Sequence, residues 1–195
     1  MLKRCAWVPQ NNPIYQQYHD IEWGVPVYND RIIFKFIVLE SAQAGLSWAI
    51  VLAKSVDYST LYFGFNPKMA AKFTKQDVAR LLKNPGIIRN KGKIEASITN
   101  ARAFLAIQKE FGSFSKYMWG FTNNRIISHK IRTLTEYPKF IPQAVAFAKD
   151  LKKRGFRFFG PTIAYAHMQA CGMVNDHMIG CFRRKKCKLL KISKT

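Results

Sequence analysis

Hydrophobic positions recur at three- and four-residue spacing through most of the chain, and that period predicts helices. Ile33, Phe34 and Ile37 share a face with Glu40 on a helix that Asp30 can cap, and Gly45 lies just beyond its end. Ser47 can cap a second helix from Trp48 to about Tyr62, with Ile50, Val51 and Leu52 inside it. Asn66-Pro67 opens a short helix, since proline suits the first helical position. Thr74 with Asp77 reads as a capping box ahead of Val78, Leu81 and Leu82, and Pro85-Gly86 breaks that helix. A long helix follows from about Lys91 to Phe111, with Ile94, Ile98, Ala101 and Leu105 facing the core. Ser113 caps another that ends near Phe121. Residues 122–142 hold Asn123-Asn124, Pro138 and Pro142 and read as a long loop with one helical turn. Gln143 to Arg154 is helical and closed by Gly155; Pro161 to Cys171 is helical and closed by Gly172. No strand run and no internal repeat stands out, so the expected fold class is all-α.

Composition narrows the picture. At 195 residues with 48% hydrophobic content, the chain has material for one core, shared by two closely packed helical lobes over residues 1–181. From Phe182 onward come Arg183, Arg184, Lys185, Lys186, Lys188, Lys191 and Lys194 with no acidic residue, so 182–195 is expected to be a mobile basic tail. No apolar run approaches the roughly 20 residues of a membrane span, and the start lacks the apolar stretch of a secretory signal. A cytoplasmic, monomeric protein is the expectation. Thirty-two Lys and Arg against 11 Asp and Glu give a net charge of +21. Such an excess repels itself unless a polyanion is the partner, with nucleic acid ahead of an anionic membrane surface. A merely solvated lysine-rich surface is the competing explanation.

Three groups of residues carry candidate chemistry. The first is the segment Lys152-Lys153-Arg154-Gly155-Phe156-Arg157-Phe158-Phe159-Gly160-Pro161, where one helix ends and another begins. Free amide groups at the second helix's N-terminus suit an anion, Gly160 permits close approach, and Lys152, Lys153, Arg154 and Arg157 add charge. This is a helix–hairpin–helix pattern that grips DNA backbone without reading sequence, although an ordinary helical hairpin would need the same glycines. The second group is aromatic. Trp7, Tyr15, Tyr18 and Trp23 crowd the N-terminus, and aromatics this dense either fill a core or stack a base. Glu40, late in an apolar helix and close to Trp48, is a carboxylate that burial would penalise unless it had a partner or a task. The third group is Cys5 and His19 near one end of the chain and His177 and Cys181, four apart, near the other. They suit a tetrahedral zinc site only if the fold joins the termini; otherwise buried free thiols are the simpler reading.

Taken together the motifs resemble a known family. Arg4-Cys5-Ala6-Trp7, Tyr18-His19-Asp20 with Glu22-Trp23-Gly24, Glu40 through Gln43-Ala44-Gly45-Leu46-Ser47-Trp48, Gly86-Ile87-Ile88-Arg89, Lys93-Ile94-Glu95-Ala96, Gly155-Phe156-Arg157-Phe158 and Gln169-Ala170-Cys171-Gly172 with Asn175-Asp176-His177 are similar to the DNA-3-methyladenine glycosylase I family, in order from Arg4 to Cys181. The resemblance implies an all-α helix–hairpin–helix glycosylase fold. It implies one structural Zn2+ held by Cys5, His19, His177 and Cys181, pinning the N-terminal to the C-terminal segment. It implies a base pocket of Glu40, Tyr18 and Trp48 walled by Trp7, Tyr15 and Trp23, with double-stranded alkylated DNA as partner and 3-methyladenine as product. The implied activity is monofunctional hydrolysis of the N-glycosidic bond in base excision repair. The slot that holds a lysine nucleophile in related lyases falls on Thr162, and Asp176 ranks below Glu40 as the catalytic carboxylate. A zinc-stabilised DNA-binding protein without catalysis is the alternative, and an RNA-associated basic protein is a third reading.

Overall fold

The computed structural model describes residues 2–189, with side chains to Cys187; the rest of the expected tail, 190–195, lies outside the described residues. Eleven α-helices succeed one another among the described residues: α1 Pro13–Gln17, α2 Asp30–Gln43, α3 Trp48–Ala53, α4 Ser55–Leu61, α5 Pro67–Ala70, α6 Lys75–Lys83, α7 Lys91–Phe111, α8 Phe114–Gly120, α9 Pro142–Lys153, α10 Pro161–Ala170 and α11 Phe182–Leu189. One turn of π-helix, Tyr18–Glu22, continues α1, and a 3-10 turn, Leu134–Glu136, sits in the long loop. The strands β1 Ile127–Ser128 and β2 Val174–Asn175 are two residues each and pair in parallel, which leaves the fold mostly helical.

Local chemistry explains most boundaries. The capping box of Thr74 and Asp77 forms as the spacing predicts, and Asn66, Asn90 and Ser113 cap α5, α7 and α8 through their side chains. Two details differ from the sequence reading. Asn29, not Asp30, caps α2, its side chain accepting from the amides of Arg31 and Ile32. Asp30 is thereby free to reach across the fold, where its carboxylate accepts from the amides of Phe114 and Ser115 and from the Gln108 side chain. The single helix expected from Trp48 to Tyr62 breaks at Lys54 into α3 and α4.

The core is continuous. α2 and α7 contribute Ile33, Phe34, Ile37, Leu39, Ile94, Ala101 and Phe104, and α9 and α10 contribute Phe147, Leu151, Ala164 and Met168, all in one buried cluster. Helix α10 packs on both α9 and α2, so the α9–α10 hairpin is held against the helix that carries Glu40. The mobile tail expected from Phe182 instead begins as α11, whose Cys187 is fully buried. Among the described residues no helix is long and apolar enough to cross a membrane.

Candidate active site and metal centre

Helix α2 places Glu40 in the lining of a cavity of about 250 Å³. The π-turn after α1 supplies Tyr18, the first residue of α3 supplies Trp48, and the N-terminal segment adds Trp7, Tyr15 and Trp23. All six residues singled out for a base pocket therefore line one cavity. The rings form a connected wall: Tyr18 lies 5.3 Å from Trp48, Tyr15 6.3 Å from Tyr18, and Trp7 meets Trp23 edge-on at 4.8 Å. The Nε1 of Trp48 is buried without a protein acceptor. Gln43, Tyr137, Ala166 and Gln169 complete the lining and escaped the sequence reading. Gln43 sits in a motif quoted above. So does Gln169, while Ala166 carries no polar signal and Tyr137 comes from a loop with no helical period to mark it.

Glu40 is 2% exposed. Burial raises its carboxyl above the ordinary range, and His167 opposes that shift. The His167 ring, wholly buried on α10, places Nδ1 2.7 Å from Glu40 Oε2. Asp176 has a different setting. It is fully buried and accepts from His129 Nδ1 at 2.7 Å, from the Gln169 side chain at 2.7 Å and from the Tyr165 hydroxyl. Its carboxylate braces Gln169 from behind and does not line the cavity.

The two ends of the chain meet beside this pocket. Ligand atoms of Cys5, His19, His177 and Cys181, all buried, lie within 4.8 Å of one another. Cys181 Sγ is 3.5 Å from both His19 Nε2 and His177 Nδ1, and Cys5 Sγ is 3.6 Å from His177 Nδ1. Tetrahedral zinc with Zn–S of about 2.3 Å and Zn–N of about 2.0 Å requires S···N edges of about 3.5 Å, so the donor set fits that ion. The outer contacts are also in place. His19 Nδ1 pairs with Asp20 at 2.8 Å, and Asp20 is held in turn by Arg4, which leaves Nε2 to face the cluster. The carbonyl of Trp23 faces His177 Nε2 at 3.2 Å and leaves Nδ1 for the cluster. The Cys181 thiol is held far below its ordinary range, first by its hydrogen bond with Cys5 and then by the two imidazoles, so a thiolate is favoured there.

On the hairpin, Gly155 carries a φ of +93° and closes α9, and Gly160 precedes α10. Lys152, Lys153 and Arg157 are exposed and have no ion-pair partner among the described residues. Arg154 is committed elsewhere. It pairs with Glu110 and Asp150 at 2.6 Å each and lies over the rings of Phe111 and Tyr117.

Comparison with known proteins places this arrangement. The family model for methyladenine glycosylase matches residues 7–184. The chain is 46% identical over 180 residues to DNA-3-methyladenine glycosylase 1 of Escherichia coli (strain K12), covering 92% of this chain and 96% of that protein. A crystal structure of 3-methyladenine DNA glycosylase I superposes with a TM-score of 0.89 at 48% identity, covering 92% of this chain and 98% of the other. A second crystal structure, of a variant 3-methyladenine DNA glycosylase I in complex with 3-methyladenine, gives a TM-score of 0.89 at 33% identity over 93% of this chain and 97% of the other. A match of this extent in both sequence and fold leaves one conclusion: the chain belongs to the methyladenine glycosylase family.

Proposed function

We propose that this chain excises 3-methyladenine from alkylated double-stranded DNA as a monofunctional glycosylase, and that the aromatic cavity closed by Glu40 receives the flipped base. The observation that carries the reading is the convergence of Trp7, Tyr15, Tyr18, Trp23 and Trp48 with a buried carboxylate on one cavity in a member of this family. Methylation at N3 leaves the adenine cationic and weakens its bond to the sugar. The base departs neutral, so no strong general acid is needed. The protein's tasks are to flip the nucleotide, hold the base and admit water. Tyr18 and Trp48 stack on the cation, a contact worth on the order of 1–2 kcal/mol when desolvated. The Glu40 carboxylate accepts from the base amino edge and favours positive charge beside it. Asp176, enclosed by three donors, serves to fix Gln169.

The backbone of the DNA is gripped by the α9–α10 hairpin. Lys152, Lys153 and Arg157 meet phosphates there, with Gly160 allowing close approach. Arg154 stiffens the hairpin through Glu110 and Asp150. Thr162, where a lyase would carry lysine, offers no amine for a Schiff base. Cys5, His19, His177 and Cys181 would hold one Zn2+, which supplies a closed cross-link between the chain's two ends and no open coordination position. The protein acts as a monomer.

The test is chromatographic: incubation with N-methylated duplex DNA should release free 3-methyladenine and leave an uncut abasic strand. DNA bound with no base released would favour the non-catalytic DNA-binding alternative.

A further inference from the structure

The glycosylase reading assigns no task to His167, which is wholly buried beneath the base pocket. Its ring is built into a line of contacts. Nδ1 lies 2.7 Å from Glu40 Oε2, and Nε2 lies 3.6 Å from Cys171 Sγ. The ring faces are enclosed by Phe159 of the hairpin loop, edge-on at 5.3 Å, and by Phe147 of α9 at 6.2 Å. We propose that His167 is a positioning residue for base excision: its Nδ1–H fixes the Glu40 carboxylate in orientation and keeps it ionised inside an aromatic cavity. This rests on the reading of the cavity as the base site.

A carboxylate that is only 2% exposed, in a cavity lined by six aromatic side chains, tends to take up a proton, and a protonated Glu40 would lose the negative charge that attracts a cationic base. Something must oppose that tendency. The ionisable groups that face Glu40 are Tyr18 from the π-turn, Cys171 from the end of α10 and His167. Burial holds the Tyr18 hydroxyl and the Cys171 thiol well above their ordinary ranges, and the Glu40 charge pushes both further, so each stays neutral. Glu22, beyond Tyr18, is paired with Lys35. Among the described residues His167 alone offers Glu40 a donor that stabilises the anion.

The Cys171 contact is compatible with Nδ1 as the nitrogen that donates to Glu40. A thiol that stays protonated can give its S–H to Nε2, which leaves the proton of a neutral imidazole on Nδ1, aimed at Glu40. A doubly protonated ring would donate from Nδ1 as well. In either state the bond engages Oε2, and the remaining oxygen is directed by it. Phe147 and Phe159 prevent the ring from turning away, so the hairpin that grips the backbone also clamps the residue that orients the pocket carboxylate.

The experiment follows the Glu40 proton in the full chain as purified. The infrared band of a protonated carboxyl that disappears in Glu40→Gln belongs to Glu40, and its titration midpoint is read in wild type, His167→Phe, His167→Leu and His167→Asn. Removing the donor should move the midpoint up by about 1–3 pH units. Asn, whose amide replaces the Nδ1–H, should keep it near the wild-type value. The acid limb of single-turnover excision should move with the band, and the Phe and Leu variants should regain most of the wild-type rate at alkaline pH. If Phe does not fold, Leu carries the comparison. An unshifted Glu40 band in a folded apolar variant would overturn the proposal, as would a rate lowered equally at every pH in step with the melting temperature. Absence of 3-methyladenine release at any pH would strike the glycosylase reading instead, while the infrared midpoint would still decide the role of His167.

Discussion

Gly24 has a φ of +78°, and a Cβ built on it would lie 2.8 Å from His177 Nε2. Backbone and neighbour both exclude a side chain there, because the chain must turn tightly to bring the Trp23 carbonyl to that imidazole. Gly24→Ala should therefore displace His177, a member of the Cys/His cluster, as well as strain the turn. The expected result is a loss of about 1–3 kcal/mol of stability with reduced metal retention, read by denaturant melts and metal analysis of the same samples. Wild-type metal content in a stable Gly24→Ala protein would contradict it. The same scale shows what a sequence can and cannot announce. Glu40 declares itself because a carboxylate in an apolar helix is costly, and the aromatics because they are dense. His167 does not, since a lone histidine on an apolar helix face is an ordinary core residue until its partner, 127 positions away, is known. Of Cys5, His19, His177 and Cys181 only the last two are close in sequence, and only the folded chain brings the two pairs together.

Helices are legible where side chains cap them and blurred where tertiary contacts decide. The capping box of α6 and the asparagine and serine caps of α5, α7 and α8 follow from short-range hydrogen bonds that any reader of the sequence can place. The break at Lys54 has no such mark, and neither the two-residue strands nor helix α11 carries a hydrophobic run long enough to signal itself. Asp30 has the chemistry of a local cap and proves to be a strut. One carboxylate accepts from two amides at the start of α8 and from Gln108 of α7, so it ties three helices together. Asp30→Ala should leave those donors without partners and cost about 1–3 kcal/mol, with the excision rate at low temperature unchanged. A thermal melt within a degree of wild type would remove Asp30 from the framework. The hairpin α9–α10 is judged by salt. If Lys152, Lys153 and Arg157 meet phosphates, replacing all three by Ala should weaken binding to undamaged duplex and flatten its dependence on ionic strength, by about 0.9 in log–log slope for each phosphate no longer neutralised. An unchanged slope would move the DNA to another face.

Across the whole molecule, a chain with a net charge of +21 pairs several of its 11 acidic residues with basic side chains or hydrogen-bond donors. Hydrogen bonds and charge from Arg4 and His19 hold Asp20 below the ordinary range against its burial, and Tyr117 and Arg154 do the same for Asp150. The Thr74 backbone amide lowers Asp77, and Arg154 lowers Glu110. Each of these groups has a depressed folded-state value. The stability it contributes is present above the unfolded carboxylate range, near pH 4, and is lost as pH falls through the folded value. Thermal melts should accordingly drop below about pH 4; a protein that melts no lower at pH 3 than at pH 6 would contradict this. The joined termini give a second global test. If Cys5, His19, His177 and Cys181 hold one ion with no open position, Cys5→Ala should lower metal content and melting temperature together, while any folded fraction keeps its excision rate. The central claim is that Glu40 holds the base in the aromatic cavity, and it is tested most directly by the single-turnover excision rate of Glu40→Gln at saturating protein, measured beside its melt. Gln can still accept from His167, so the melting temperature and metal content should stay near wild type while 3-methyladenine release slows. The slowing should fall short of the 10²–10⁴-fold typical of acid–base groups, because the bond is already labile. A well-folded Glu40→Gln protein that releases the base at the wild-type rate would contradict the account.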